Sequence, residues 1–224
     1  LMVGKATLTI SADNKTKVYS TGNPLLTASF DGFVNGESLA NSGVKGDPNL
    51  FTTAEDNSPV GTYDIVATIG TLTSDNYLFI FNKGTLTIAK GMLTVAAENK
   101  SRIYGAANPA FTATYNGFVN GESLTTSGVA GRPALNTLAN ENSGVGIYPI
   151  TASLGTLDAV NYDFTFEQGL LTVTKAPLTL TAENKTRKYG ENNPALTFQA
   201  TGFMNSETWT SSGITGQPLI STEA

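Results

Sequence analysis

Apolar and polar residues alternate along most of this chain, with the period of two that is typical of β-strands with one buried face. The first such stretch places Leu8, Ile10 and Ala12 on one side and threonine and serine on the other. The predicted inward-facing residues of three later stretches are Leu26, Ala28 and Phe30, then Tyr63, Ile65 and Ala67, then Tyr77, Phe79 and Phe81. No stretch sustains a helical period, and the best helix candidate is about one turn at residues 37–41. The pattern therefore predicts an all-β chain.

The sequence Gly-Phe-Val-Asn-Gly-Glu-Ser-Leu at residues 32–39 returns letter for letter at residues 117–124 and, altered, at residues 202–209. Both steps are 85 residues, and two complete copies are identical at about half of their positions. Such a period predicts a tandem array of similar domains. We divide the chain into the tail of a preceding repeat (1–5), repeat 1 (6–90), repeat 2 (91–175) and a truncated repeat 3 (176–224), and we expect it to be a segment of something longer.

The repeats follow each other with very little sequence between them. About two residues, near Lys90 and Gly91, separate the last predicted strand of repeat 1 from the first predicted strand of repeat 2. A flexible linker would be longer and rich in glycine and serine. We therefore expect a semi-rigid, extended array in which each repeat contacts its neighbours.

Comparing the two complete repeats separates the buried face of the aromatic strand from its exposed face. The aromatic residues recur while their neighbours change: Tyr77, Phe79 and Phe81 match Tyr162, Phe164 and Phe166, whereas Leu78 and Ile80 become Asp163 and Thr165. The aromatic face is therefore predicted to lie in the core. The short strand at residues 86–88 follows Gly84 closely, and we predict that it forms a hairpin with the aromatic strand.

Repeat 3 has no counterpart of the three later strands of a complete repeat, which supply much of the predicted aromatic core. We therefore expect residues 176–224 to be poorly packed. Burial of Leu196 and Phe198 as deep as that of Leu26 and Ala113 would contradict this expectation.

Composition narrows the possible chemistry. The chain has 224 residues, a net charge of −5, and neither histidine nor cysteine. Thiolate chemistry, Ser-His and Cys-His nucleophile pairs, and the ordinary zinc and copper ligand sets are thereby excluded. The acidic balance argues against a nucleic-acid partner, because phosphates bind clustered lysine and arginine. No apolar run reaches the ~18 residues of a membrane span.

The recurring Asn-Gly-Glu segment is the candidate functional loop. Its residues in the two complete repeats are Asn35, Gly36, Glu37, Asn120, Gly121 and Glu122. Asparagine and glycine tolerate positive φ, so one interpretation is a tight turn with the glutamate beside it. The other is a ligand-binding loop held on a rigid scaffold. Repeat 3 has Ser206 in place of the glycine, which argues against a strict requirement for positive φ.

Two acidic positions recur in all three copies: Glu37, Glu122 and Glu207 form one, and Asp13, Glu98 and Glu183 form the other. Two carboxylates are the minimum for glycosidase chemistry, and several carboxylates together bind calcium. The remaining acidic residues shift between copies, however, and no calcium-loop motif is present. We therefore predict no catalytic residue, no metal site and no cofactor.

The recurring residues follow one order along the repeat, from Asn-Lys and Tyr-Gly through Asn-Pro and Gly-Phe-Val-Asn-Gly-Glu to Asn-Tyr-x-Phe-x-Phe. This order resembles the MBG repeats, of the Tyr-Gly-x type, found in large bacterial surface proteins and adhesins. The pair stands as Tyr104-Gly105 and Tyr189-Gly190, but as Tyr19-Ser20 in repeat 1. The resemblance covers essentially the whole chain. It implies an extracellular β-rich module in a long tandem array, and it carries no catalytic residues.

We predict a tandem array of small Ig-like β-sandwich domains, and the alternative is a β-grasp-like unit with one short helix near Glu37. The expected function is that of a stalk or spacer in a large bacterial cell-surface adhesin, and not that of an enzyme. The competing interpretation is a multivalent binding module whose loops hold a glycan or a host or matrix protein. The expected partners are the neighbouring repeats, without nucleic acid or membrane insertion, and the expected location is the cell surface, with the anchor outside this segment.

Overall fold

The computed structural model describes residues 2–223, and its strands are numbered here in chain order. Repeat 1 holds β1 (Ala6–Ala12), β2 (Lys15–Val18), β3 (Ala28–Asp31), β4 (Asn49–Thr52), β5 (Gly61–Thr68), β6 (Tyr77–Asn82) and β7 (Gly84–Ala89). Repeat 2 holds β8 (Gly91–Ala97), β9 (Lys100–Ile103), β10 (Ala113–Asn116), β11 (Ala134–Asn136), β12 (Gly146–Ser153), β13 (Tyr162–Glu167) and β14 (Gly169–Thr174). Repeat 3 holds β15 (Thr179–Ala182) and β16 (Phe198–Thr201).

The described residues form strands and turns, so the prediction of an all-β chain is confirmed. The helix candidate at residues 37–41 is a set of turns, in which the N–H groups of Asn41 and Ser42 both bond to the carbonyl oxygen of Ser38. The helix that the β-grasp alternative requires is therefore not formed. Within residues 2–223 there is also no helix of the length and apolarity needed to cross a membrane.

Repeat 1 folds into two sheets that pack face to face. One sheet has the order β3-β1-β6, and the other has the order β2-β7-β5-β4. The central strand β1 contacts β5 and β7 of the other sheet. Leu8, Ile10 and Ala12 of β1 are buried, as their alternation predicts. Two sheets packed in this way make a small β-sandwich.

The predicted hairpin between the aromatic strand and the strand after it is wrong. β6 pairs in parallel with β1, whereas β7 lies in the other sheet, antiparallel to β5 and parallel to β2. Lys83 alone separates β6 from β7. A Cβ on Gly84 would lie 2.3 Å from the carbonyl oxygen of Ala12, and the N–H of Thr85 bonds to the Asn14 side chain at 2.8 Å. This close approach to the end of β1 directs the chain across into the second sheet.

The strand order of repeat 2 is that of repeat 1, with sheets β10-β8-β13 and β11-β12-β14-β9. β14 pairs with β12 in antiparallel and with β9 in parallel, as β7 does with its partners. The predicted core face of the aromatic strand is confirmed, because Tyr77 and Tyr162 are buried while Leu78 and Ile80 are exposed.

Contacts divide the chain into two compact units, and the first of them includes parts of both complete repeats. It consists of Leu1–Thr94, Tyr115–Arg132 and Thr156–Thr165. Its buried core contains residues from repeat 1 and residues from repeat 2: Ala12, Tyr19, Ala54, Ile65, Ala67, Leu86 and Ile88 from the first, and Leu93, Ala159 and Tyr162 from the second. Because the core is shared, separating these parts of the two repeats would expose apolar side chains to water.

The second compact unit consists of Val95–Thr114, Pro133–Gly155 and Phe166–Ala224. Its buried core is Ala97, Ala139, Ile150, Leu171 and Val173. Each of these residues lies 85 positions after a core residue of the first unit. The two cores are therefore built on the same positions of the repeat.

The described residues of repeat 3 form one two-stranded antiparallel sheet, of β15 and β16. Leu178 and Leu180 are 37% and 45% exposed, whereas the equivalent residues of repeat 1 are 0% exposed. Leu196 and Phe198, in contrast, are half-buried, as are the residues chosen for comparison with them, Leu26 and Ala113. The expectation of poor packing therefore holds for the first strand of repeat 3 and fails for Leu196 and Phe198.

The crossover at Gly84 gives a testable prediction. Gly84→Ala places a methyl group against the backbone of Ala12, so we expect the free energy of unfolding to fall by roughly 1–3 kcal/mol, the usual cost of overpacking. Gly22→Ala is the matched control, because nothing lies within 4 Å of the added Cβ. Urea unfolding followed by circular dichroism measures both variants. Equal stabilities of the two variants would contradict a crossover held by close packing.

Candidate functional site

The Asn-Gly-Glu segment forms a tight turn in both complete repeats. Asn35 and Gly36 have φ values of 55° and 73°, and the N–H of Glu37 bonds to the carbonyl oxygen of the residue before the turn at 3.0 Å. Asn120 and Gly121 have φ values of 55° and 69°. Two successive residues at positive φ are the geometry of a type I′ turn, which Asn-Gly favours. The glutamate is the last residue of this turn, so the turn fixes the position of its backbone.

Repeat 3 keeps this turn although a serine replaces the glycine. Asn205 and Ser206 have φ values of 51° and 61°, and the N–H of Glu207 bonds to the carbonyl oxygen of Met204 at 2.9 Å. A residue with a Cβ is strained in this region, by roughly 1–2 kcal/mol. The serine therefore adopts the conformation at a cost, and the sequence-based expectation that it relaxes the φ requirement is wrong.

The carboxylate of Glu122 accepts hydrogen bonds from two tyrosines that belong to different repeats. Tyr19 of repeat 1 donates its hydroxyl to Oε1 at 2.6 Å, and Tyr162 of repeat 2 donates its hydroxyl to Oε2 at 2.5 Å. Hydrogen bonds to an ionised acceptor are shorter and stronger than those between neutral groups. This carboxylate therefore connects the two repeats within the first compact unit. We call the contact of Tyr19, Glu122 and Tyr162 the tyrosine joint.

The two tyrosine rings of the joint also pack against each other. Their centroids are 5.7 Å apart, and their planes are inclined at 83°. Phe118 contacts the Tyr162 ring in the same manner at 5.8 Å. Edge-to-face pairs of this kind contribute about 0.5–1.5 kcal/mol each beyond the burial of their area. Tyr19 and Tyr162 are both buried, so the joint is part of the core of the first compact unit.

Local backbone contacts explain why Tyr19 reaches Glu122. Tyr19 follows β2, which runs parallel to β7, and its N–H bonds to the carbonyl oxygen of Ala89 at 2.8 Å. Lys90 alone separates β7 from β8, and its ammonium group bonds to the carbonyl oxygen of Ala159 at 2.9 Å. The end of β2 is thereby held beside the start of repeat 2. The predicted short connection between these repeats is confirmed.

Two further hydrogen bonds surround the joint. The hydroxyl of Ser20 donates to the side-chain oxygen of Asn120 at 2.5 Å. The backbone N–H of Val60 donates to the side-chain oxygen of Asn161 at 3.1 Å. Asn120, one of the predicted loop residues, thus supplies both a left-handed turn conformation and a polar contact to the preceding repeat.

The second compact unit contains the same tyrosine-to-glutamate contact. Tyr104 donates its hydroxyl to Glu207 at 2.8 Å, and its N–H bonds to the carbonyl oxygen of Thr174 at 2.8 Å. A Cβ on Gly105, which has a φ of 78°, would lie 2.3 Å from the Cβ of Met204. The glycine of the Tyr-Gly pair therefore permits the close approach of the next Asn-x-Glu turn.

The joint raises the pKa of its phenols. Burial, together with the hydrogen bond to Glu122, raises the pKa of Tyr162 from its ordinary value of 10.0 to about 12. The hydrogen bond to Glu122 is also the main cause that raises the pKa of Tyr19. Ionising either phenol would place a second negative charge beside the carboxylate, so the neutral forms are favoured.

Glu37 makes only part of the corresponding contact. Tyr77 of its own repeat donates to Oε2 at 2.5 Å, and this hydrogen bond is the main cause that raises the pKa of Tyr77. Phe33 packs edge-on against the Tyr77 ring, with centroids 5.7 Å apart. The predicted loop residues of repeat 1 are therefore placed as in repeat 2, but with one tyrosine in place of two.

Sequence reasoning missed a second recurring device, a buried cation held by carbonyl oxygens. The ammonium group of Lys17 donates to the carbonyl oxygens of Thr21, Glu55 and Asp56, at 3.1, 2.7 and 3.3 Å. Arg102, at the equivalent position, donates to the side chain of Asn108 and to backbone carbonyl oxygens. The signal in the sequence was a cation recurring on the inward side of a short strand. These cations hold the loop that precedes β5 or β12.

The arrangement is suited to holding protein segments together. Both oxygens of Glu122 accept tyrosine hydroxyls, and the recurring cations are bonded to carbonyl oxygens. Clusters of three or more acidic residues that could hold a metal ion are not found within residues 2–223. The chemistry of the site is therefore that of a non-covalent connection between repeats.

The joint gives a prediction about stability. Glu122→Ala removes the acceptor of two buried phenols, whereas Glu37→Ala removes the acceptor of one. We expect each unsatisfied hydroxyl to lower the free energy of unfolding by roughly 1–3 kcal/mol, so that Glu122→Ala is about twice as damaging. Urea unfolding of the whole chain compares the two variants. Equal losses would contradict the bridging role of Glu122.

Coupling across the joint is tested by a double-mutant cycle. Tyr19→Phe should destabilise the native chain but have little further effect in the Glu122→Ala background, because the hydrogen bond is already absent there. The same urea experiment measures all four proteins. If the effect of Tyr19→Phe is the same in both backgrounds, these two side chains do not act together.

The raised phenol pKa values predict an alkaline transition. Because the pKa of Tyr162 is raised on folding, its contribution to stability is complete below about pH 10 and is lost as the pH rises toward 12. We expect the phenolate absorbance of Tyr162 to develop near pH 12, together with loss of stability. Tyr162→Phe should remove this part of the titration. If the absorbance change that Tyr162→Phe removes occurred near pH 10, Tyr162 would not be buried against Glu122.

The comparison with known families agrees with this geometry. A search of curated proteins finds no match to the chain. A family model described as MBG domain (YGX type) matches residues 8–87, 93–172 and 178–224, one match within each repeat. The resemblance drawn from the sequence is thereby confirmed, and the tyrosine of each Tyr-Gly pair described above lies within a matched segment. The chain belongs to the MBG domain (YGX type) family and carries the domain as tandem repeats.

Proposed function

We propose that this chain is a run of structural spacer repeats in a large bacterial cell-surface adhesin, where it holds a distal binding region away from the cell. The observation that carries the proposal is the tyrosine joint. In it, Tyr19 of repeat 1 donates its hydroxyl to Glu122 of repeat 2, while Tyr162 of repeat 2 bonds to the other oxygen of the same carboxylate. A spacer requires such connections, because loosely joined domains fold back and lose reach.

Membership of a tandem repeat family supports the same proposal, since repeats of this kind are typical of surface proteins. The net charge of −5 favours a soluble, solvated surface over binding to nucleic acid. Under this proposal the array lies outside the cell, and its main partners are neighbouring repeats of the same chain. No catalytic step is part of the proposed function.

The distance at which the chain holds its far end from the cell can be tested on a bacterial surface. The chain is displayed with a peptide tag at its far end, and a longer version carries one further copy of residues 91–175. We expect adhesion to tag-binding beads to increase with each added repeat. A Gly/Ser linker with the same number of residues is the control, because the end-to-end distance of a flexible chain grows only with the square root of its length. Equal gains from linker and repeat would contradict the spacer.

The same display separates the spacer from a binding module. Cells that display the chain without a tag should not adhere to surfaces coated with glycans or matrix proteins. Suppose that cells adhere without the tag, and that this adhesion is lost in the Glu37→Ala, Glu122→Ala double variant but kept in a Glu141→Ala control. This result would contradict the spacer function and support the multivalent binding module. Circular dichroism of the double variant establishes whether it is folded.

A further inference from the structure

The first and the last strand segments of repeat 1 lie side by side along their whole length. β1 pairs in parallel with β6, and β2 pairs in parallel with β7. In both pairs a residue lies opposite the residue 71 positions later in the chain, from Ala6 opposite Tyr77 to Val18 opposite Ala89. Because this register is the same in the two sheets, residues 6–18 and 77–89 form one structure, which we call the parallel ladder.

Side-chain hydrogen bonds continue the parallel ladder where it crosses from one sheet to the other. The side-chain nitrogen of Asn82 donates to the hydroxyl oxygen of Ser11 at 3.2 Å. The backbone N–H of Thr85 donates to the side-chain oxygen of Asn14 at 2.8 Å. The two segments are therefore held together at the crossover as well as within each sheet.

The inner face of the parallel ladder is closed to water. Leu8 and Ile10 of the first segment are 0% exposed, and Leu86 and Ile88 of the second are 0% and 1% exposed. A hydrogen bond is stronger in such surroundings than in water, because the local dielectric constant is low. Water also cannot reach this side of the ladder to replace a bond that opens briefly.

Repeat 2 contains a ladder with the same spacing. β9 pairs in parallel with β14, with Lys100 opposite Leu171. The side-chain oxygen of Asn99 accepts the N–H of Leu170 at 2.8 Å, as Asn14 does in repeat 1. β8 and β13 are neighbours in the other sheet of the repeat. The ladder is thus a feature of both complete repeats.

The direction of the two segments determines how tension along the chain acts on the ladder. The chain enters repeat 1 at Ala6, the start of the first segment, and leaves it at Ala89, the end of the second. Because the segments run parallel, these two points lie at opposite ends of the ladder. Tension between them pulls the segments past each other along the strand direction, so all hydrogen bonds between them are loaded together. In an antiparallel hairpin, tension on the two free ends would break the bonds one after another.

We propose that each complete repeat is a mechanical clamp, which resists tension along the chain because its parallel ladder is loaded in shear. In repeat 1 the ladder pairs six residues of β1 and four residues of β2 with their partners. The tyrosine joint holds its far end, because Tyr19 bonds through its N–H to Ala89 and through its hydroxyl to Glu122. The proposal goes beyond the spacer function, since a spacer sets a distance whereas a clamp resists tension.

Single-molecule force spectroscopy tests the clamp on the whole 224-residue chain, which has no native cysteine to compete for the handles. Lys5→Cys with Met92→Cys attaches handles just before and just after repeat 1, so that tension shears its ladder. Lys5→Cys with Asp75→Cys attaches them at the starts of β1 and β6, so that tension unzips the same ladder from one end. The three replaced residues are exposed. We expect repeat 1 to open at a higher force in the first direction than in the second.

The two pulling directions compare the same hydrogen bonds in the same native ladder, and only the order in which the bonds break differs. Stability alone therefore predicts no difference that depends on shear. Opening at equal forces in the two directions would overturn the clamp. A lower force in the shear direction would overturn it as well.

A pair of proline variants tests the contribution of the ladder itself. The N–H of Tyr19 bonds to β7, and alternate residues of a strand direct their N–H groups to the same neighbour. The N–H of Lys15 therefore faces β7, whereas that of Thr16 faces the open edge of the sheet. Proline has no N–H, so Lys15→Pro removes one ladder bond and Thr16→Pro is the matched control. At constant tension in the shear direction, we expect Lys15→Pro to open roughly tenfold faster than Thr16→Pro, the effect of about one hydrogen bond.

The unzipping direction shows whether the lost bond acts through the clamp. There the ladder opens from β1 and β6, so Lys15→Pro and Thr16→Pro should open at nearly equal rates. Equal rates in the shear direction, or the same excess for Lys15→Pro in both directions, would overturn the proposal. If circular dichroism shows that Lys15→Pro does not fold, the two pulling directions of the native ladder still test it. Failure of the clamp is distinct from failure of the spacer, because the bead experiment measures reach without applying tension.

Discussion

The structure around the boundary of repeats 1 and 2 depends on one half-buried carboxylate. A carboxylate removed from water is costly unless its oxygens are hydrogen-bonded. Glu122 meets that requirement with two phenols, one from each repeat. Moving the repeats apart would therefore cost a strong hydrogen bond, an aromatic contact and apolar burial at once. The connection is stable because one relative position of the two repeats provides the hydrogen bond, the aromatic contact and the apolar burial together.

The turn beneath the glutamate is what makes this geometry repeatable. All three copies keep two successive residues at positive φ, including the strained Ser206. A type I′ turn fixes the direction in which the residue after it leaves the backbone. The Tyr-Gly pair shows the complementary requirement, because the second residue of that pair has positive φ in Ser20 as well as in Gly105. Backbone strain is thus tolerated at the two segments that meet at the joint.

Much of the fold could be predicted from the sequence, and the failures share one cause. Alternation identified the strands and the buried aromatic face, because those signals are local. The hairpin prediction failed because Gly84 carries the chain to the other sheet, where β7 pairs with β2 from much earlier in the chain. Tyr19 and Glu122 were each visible as recurring residues, but recurrence does not say which copy supplies the partner. Contacts between copies are long-range, and only the structure assigns them.

The recurring polar residues of the repeat prove to be bonded within the protein. The second recurring acidic position is occupied by Asp13 and Glu98, which accept hydroxyls from Thr27 and Thr112. Asn23 and Asn108 of the Asn-Pro pairs donate side-chain N–H groups to carbonyl oxygens of the loop that Lys17 or Arg102 also holds. A polar residue that recurs in a tandem array is commonly interpreted as a ligand-binding residue. In this chain the recurring residues named here close a loop of their own repeat or contact the next repeat. Positions that change between the copies, such as Leu78 and its equivalent Asp163, lie on the exposed face of the aromatic strand, although Asp163 forms an ion pair with Lys90 at 3.4 Å.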